Sequence, residues 1–152
     1  MLYFATHGLL PQANGCLQPA LVTSQGGSGS DSLLDTTEIP GLQLDADLVV
    51  LSACDTGAGL QDGGGGAALG GLVSTFTYAG ARNLLVSNWE VNSEATEILM
   101  SAVFRSEAAT QGEALADAER SFIARDDAFS HPYYWAAFSI VGDGARALPR
   151  SQ

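Results

Sequence analysis

The sequence predicts a layered α/β domain whose mostly parallel sheet is flanked by helices. Three observations carry that expectation. Residues 2–6, 48–53, 83–88 and 138–142 are short apolar runs without strict polar alternation, as in strands covered on both faces. Helical patterns separate the last three runs, which favours parallel pairing with right-handed crossovers. The chain has 152 residues and is 46% hydrophobic, enough for a single domain with its own core.

The elements follow in order. After the first run, residues 12–45 break the rhythm and read as a surface excursion, with a strand-like piece at 20–24, a flexible Gly/Ser loop at 24–31 and a hairpin as one arrangement. The second strand run leads through a glycine-rich loop to a helical stretch at 67–79 whose small and apolar residues suit close packing. After the third run, Asn92 or Ser93 can cap a helix that has Glu94 and Glu97 near its positive end and Ile98, Leu99, Ala102 and Val103 as its apolar stripe. A second helix is expected over 110–124, with Gln111 and Glu113 in its first turn and Leu115, Ala118, Phe122 and Ile123 on one side.

Composition excludes several classes of function. Seventeen acidic residues face six basic ones, all arginine, for a net charge of -11, which repels phosphate backbones and anionic lipid headgroups. Nucleic acid and membrane are therefore not expected partners. No run approaches the ~18 apolar residues of a spanning helix, and the start has no basic flank of a secretory signal. Cys16 and Cys54 show no CxxC spacing, so a Cys-rich zinc site is excluded and a reduced, cytoplasmic setting is the simpler expectation. Met1 opens directly on a strand-like run, which leads us to expect a piece of a longer domain.

Ligand sites in parallel α/β sheets gather beyond the carboxyl ends of the strands. The four strand exits read Thr6-His7-Gly8, Cys54-Asp55-Thr56-Gly57, Asn88-Trp89-Glu90 and Gly142-Asp143-Gly144, and all four are expected along one reactive edge. If the first two strands are parallel neighbours about 4.8 Å apart, His7 and Cys54 leave the sheet side by side. Cys54 would then be the nucleophile and His7 its base. The Gly8 N–H, with that of Cys54, would form an oxyanion hole.

Several segments resemble the CHAT domain family: Ala5-Thr6-His7-Gly8, Leu51-Ser52-Ala53-Cys54-Asp55-Thr56-Gly57, Ala79-Gly80-Ala81-Arg82, Ser87-Asn88-Trp89-Glu90-Val91 and His131-Pro132-Tyr133-Tyr134-Trp135-Ala136-Ala137-Phe138. The interval from His7 to Cys54, 54 minus 7 or 47 residues, is also close to the roughly 50 of caspases. The resemblance covers nearly the whole chain in order. It implies a caspase-like fold and a clan CD cysteine endopeptidase acting on protein or peptide substrates, with His7 and Cys54 as the dyad and Gly8 as the oxyanion donor. It also implies neighbouring TPR-type repeats. Family members carry further strands and helices before the segment matching residues 5–8, so the chain is expected to be the C-terminal part of an N-terminally truncated copy.

Other readings of individual residues stay open. Asp55, Asp62 and Glu90 would form an acidic pocket for a basic side chain, or Asp55 would face outward. Trp89 would line the substrate cleft or pack in the core. His131 is a rival base, although the Pro132 and aromatic residues after it suit a packed turn. Gly63, Gly65 and Ala68 satisfy a nucleotide-type G-x-G-x-x-A pattern. That pattern starts ten residues past Ala53, too late for a dinucleotide turn, and the chain has no lysine for a Walker loop. The alternatives are a non-catalytic caspase-like scaffold or interaction domain and, less favoured, a nucleotide-binding α/β module. No metal or organic cofactor is expected, and no role is assigned to Cys16.

Overall fold

The computed structural model describes residues 1–9, 18–24, 31–52 and 65–149, with side chains in the last segment from residue 70 onward. Four strands form one sheet in the order β1 (Leu2–Phe4), β5 (Val49–Leu51), β6 (Leu84–Ser87) and β7 (Phe138–Val141). β1, β5 and β6 are parallel, whereas β7 runs antiparallel to β6. A smaller antiparallel sheet joins β2 (Gly8–Leu9), β3 (Ala20–Val22) and β4 (Leu33–Asp35). The helices are α1 (Gly65–Tyr78), α2 (Ser93–Arg105) and α3 (Gln111–Ile123). The mostly parallel α/β sheet flanked by helices is as expected.

The alternating pleat sends neighbouring residues of the central strands to opposite cores. Val49, Leu51, Leu84 and Val86 meet Leu72 and Phe76 of α1 on one face. Leu48, Val50 and Leu85 meet Leu99 and Val103 of α2 and Leu115 and Phe122 of α3 on the other. Covered on both faces, β5 is buried throughout, which is why its sequence carries no polar alternation.

Local chemistry sets the helix boundaries near their expected places. The Asn92 side chain accepts from the Ala95 N–H and caps α2. Thr110 and Glu113 form a reciprocal capping box at α3. Two residues past the end of α1, Gly80 has a φ of +109° that suits glycine, and an added Cβ would lie 1.9 Å from the Leu44 carbonyl oxygen.

Four expectations need correction. Because β7 is antiparallel, its exit at Gly142-Asp143-Gly144 lies at the opposite edge from the ends of β1, β5 and β6, and there it meets Asn83 at the start of β6. Only three of the four strands therefore end at that edge. The 12–45 excursion is not simply superficial, because Leu21 and Ile39 are fully buried in the α1-side core. Its hairpin exists as β3 and β4. Ile123 is exposed rather than part of the α3 stripe, whose buried members are Gln111, Ala114, Leu115, Ala118 and Phe122. Close packing also does not account for every glycine of α1, since a Cβ on Gly70 would meet nothing within 4 Å. Most of the Gly/Ser loop at 24–31 lies outside the described residues.

Candidate active site

β1 pairs in register with β5, Leu2 facing Val49, Tyr3 facing Val50 and Phe4 facing Leu51. The Ser52 N–H donates to the Phe4 carbonyl and extends the pairing by one step. Beyond Phe4 the chain bends and enters β2, and β3 holds that bend. The Thr6 hydroxyl donates to the Val22 carbonyl at 2.5 Å, and the Val22 N–H donates to the His7 carbonyl at 2.9 Å. The His7 backbone is thus anchored while its side chain is exposed.

The same ladder orients Gly8. Antiparallel pairs alternate between hydrogen-bonded and non-hydrogen-bonded positions. The Val22-to-His7 bond makes the Gly8 and Leu21 pair a non-hydrogen-bonded one. The Gly8 N–H consequently points away from β3. Gly8 itself is buried.

His7 opens into a cleft of about 700 Å³ between the β1 edge and α2. Ala5, Thr6 and Ser52 line its upper end with His7. Ser93, Glu97, Ser101 and Arg105 line its α2 side, each four residues from the last on one helical face. Thr96, Met100 and Phe104 form the adjoining row, and Tyr3 packs edge-on against Phe104 with ring centroids 6.3 Å apart. Burial of Glu119 on α3 raises its carboxyl above the ordinary range, but Glu119 does not line this cleft.

The other expected site residues divide into two groups. Cys54, Asp55, Asp62 and the glycine pattern at 63–66 lie outside the fully described residues, as does Cys16. Trp89, Glu90 and His131 are described but do not line the cleft. The Trp89 indole N–H donates to the Tyr133 carbonyl at 3.0 Å while its ring packs on the α2 and α3 core. Glu90 is exposed at the end of β6. His131 caps the short turn Pro132–Tyr134, its Nδ1 accepting from the Tyr133 N–H.

Sequence reading passed over the α2 face as a ligand surface. The signal was the four-residue recurrence of Ser93, Glu97, Ser101 and Arg105, but polar side chains at that spacing ordinarily mark a solvated helix face. Among the described residues, no three His, Cys, Asp or Glu side chains gather as a metal would need. None of the described helices is long and apolar enough to cross a membrane.

The fold and cleft define an α/β protein with a histidine at the carboxyl edge of its parallel strands. A CHAT domain family model matches residues 1–143, and the chain belongs to that caspase-like family. It is also similar to tetratricopeptide repeat protein 28 of Mus musculus, with 32% identity over 120 residues covering 75% of this chain and 5% of that protein. The Homo sapiens protein of the same name is 32% identical over 120 residues, covering 75% of this chain and 4% of its own length. The chain therefore corresponds to a small part of these relatives.

Proposed function

We propose that the chain is a cysteine endopeptidase in which Cys54 attacks the peptide carbonyl and His7 carries the proton. The observation that carries this reading is the β1–β5 register. Each β1 residue faces the β5 residue 47 positions later, as 49 minus 2 shows for Leu2 and Val49. His7 and Cys54 are separated by the same 47 positions. Adjacent parallel strands that end in register release the segments that follow them, one carrying His7 and the other Cys54, at the same edge of the sheet.

The chemistry follows from that pairing. His7 takes the Cys54 thiol proton, and the thiolate forms a C–S bond to the carbonyl carbon. The Gly8 N–H, turned away from β3, and the Cys54 N–H donate to the resulting oxyanion. The C–N bond then breaks, and His7 returns the proton to the departing amine. Water attacks the thioester while His7 accepts its proton, the C–S bond breaks to release the acid, and His7 returns the proton to the Cys54 sulfur. No step requires a metal or an organic cofactor. Asp55, Asp62 and Glu90 complete this reading as an acidic rim favouring a basic side chain before the cut, and Trp89 supports the wall next to it.

The relatives' TPR repeats support a setting in which such regions recruit substrate, in the cytoplasm. Labelling by a peptidyl electrophile tests the dyad. Cys54 should react in preference to Cys16, and His7→Ala should slow labelling by about a hundredfold or more, the usual contribution of a general base. Equal labelling of both thiols, unaffected by His7→Ala, would leave a caspase-like scaffold as the function.

A further inference from the structure

The carboxyl edge of the sheet has a second side. β6 flanks β5 on the side away from β1, and the two strands run parallel in register, Leu51 facing Val86. The segment after β6 therefore starts at the same edge as the segment that carries Cys54. It is tied down over residues 88 and 89. The Asn88 N–H donates to the Ala137 carbonyl at 2.8 Å, and Asn88 Nδ2 donates to the same carbonyl at 2.9 Å and to Ser139 Oγ at 3.1 Å. The Trp89 indole N–H then reaches the Tyr133 carbonyl at 3.0 Å.

That carbonyl is itself held in place. Tyr133 stands in the short turn Pro132–Tyr134, which His131 caps. Its ring packs edge-on against Tyr134, and Tyr134 packs in the same way against Phe129. Arg125 lies over the Phe129 ring and pairs with Asp127. Glu90 follows Trp89 and is exposed. Val91 after it is buried in the α2 and α3 core, and Asn92 caps α2. An exposed carboxylate thus sits between two packed neighbours, so little conformational freedom remains to be lost when it meets a ligand.

We propose that Trp89 is a positioning residue for substrate choice: through its indole bond to the Tyr133 carbonyl it holds the Glu90 carboxylate where an arginine side chain of the substrate meets it. The inference rests on the peptidase reading, with its acidic rim, for the identity of the ligand. Trp89 acts through Glu90, since its own ring packs on the α2 and α3 core. A carboxylate and a guanidinium make two parallel charge-assisted bonds only when the carboxylate is correctly turned. Loosening Trp89 therefore weakens recognition of arginine and leaves recognition of an uncharged side chain as it was.

Fluorescence anisotropy on the Cys54→Ala chain, which binds without cutting, compares a labelled peptide bearing one arginine with its citrulline counterpart, similar in shape and uncharged. The arginine peptide should bind about fivefold tighter, as expected of one exposed pair, and Glu90→Gln should abolish that preference. Replacing Trp89 by benzothienylalanine keeps the bicyclic ring and removes only the N–H donor. It should cut the preference to about twofold, within the range of an exposed pair, with citrulline binding unchanged. In the Glu90→Gln background the same replacement should have no further effect. Equal losses for both peptides, a preference that survives removal of the donor or of the Glu90 carboxylate, or no preference in the starting chain would overturn the proposal. Labelling of Cys54 in the unmutated chain keeps the two readings apart. A reactive thiol without an arginine preference removes only this inference, whereas a preference that depends on Trp89 and Glu90 beside an unreactive thiol retains the positioning role and removes the peptidase.

Discussion

At the β7 flank of the sheet, Asn83 and Gln111 are sealed inside and tie the returning chain to α3. At the β1 flank, Met1 and Tyr3 stand exposed beside the cleft that Glu97 and Arg105 also line. On the closed side, Asn83 Nδ2 donates to Gln111 Oε1 at 2.7 Å and to the Asp143 carbonyl at 2.8 Å, while its Oδ1 accepts from the Asp143 N–H. Gln111 Nε2 continues to the Ala147 carbonyl. Gly142, at φ +123°, lets the chain turn against Asn83, which would lie 2.3 Å from any added Cβ. A buried polar network whose members satisfy one another holds a single arrangement. Among the described residues the β1 flank shows no such buried network. The two flanks of one sheet thus differ in how firmly the described side chains tie them.

The largest test of that contrast is Asn83→Ala. It leaves the Asp143 N–H and the Gln111 amide oxygen without their buried partner, and should lower unfolding free energy by roughly 2–4 kcal/mol in denaturant titration. A loss below about 1 kcal/mol would show that the closed flank is not what holds the fold. Thr110→Ala removes the α3 capping box on the same side and should cost about 1 kcal/mol, visible as a lower midpoint with unchanged slope. Arg105→Gln, on the open flank, should change stability by no more than ~0.5 kcal/mol. A cost equal to that of Thr110→Ala would mean Arg105 serves the fold and not the cleft.

A pH series sharpens the comparison more gently. The side-chain hydrogen bond from Arg125 holds the Asp127 carboxyl below its usual range, aided by the bond from the Phe129 N–H in the turn ahead of β7. A depressed folded pKa contributes stability above the unfolded value of about 3.9 and loses it as pH falls through the folded value. The stability difference between the parent chain and Asp127→Asn should therefore be flat from pH 7 to about 5 and shrink below about 4. A difference growing on acidification would contradict the pairing.

Much of this protein was legible before its structure. Unalternating runs located β1, β5, β6 and β7, and burial on both faces accounts for this in β5 and β6, whereas β1 and β7 are partly exposed. Short polar side chains before apolar stripes located α2 and α3, because capping is chemistry within a few residues. The place of His7 at the carboxyl edge of β1 was legible because it follows an apolar run directly, and there it lines the cleft. The direction of β7 was not, since parallel and antiparallel neighbours of a buried strand carry the same apolar composition. Nor were Asn83 and Gln111 legible as a core network, for each finds its partner across 28 or more positions.

Sequence alone determined the α/β class, the helix caps and the chemical character of the strand exits, all of which depend on residues close together in the chain. Tertiary structure decided which exits share an edge, the 47-residue register of β1 on β5, and the conversion of a polar helix face into one wall of a cleft. Those features arise when distant segments pack, and the contacts that select them are encoded in shape complementarity across the whole core rather than in any local pattern.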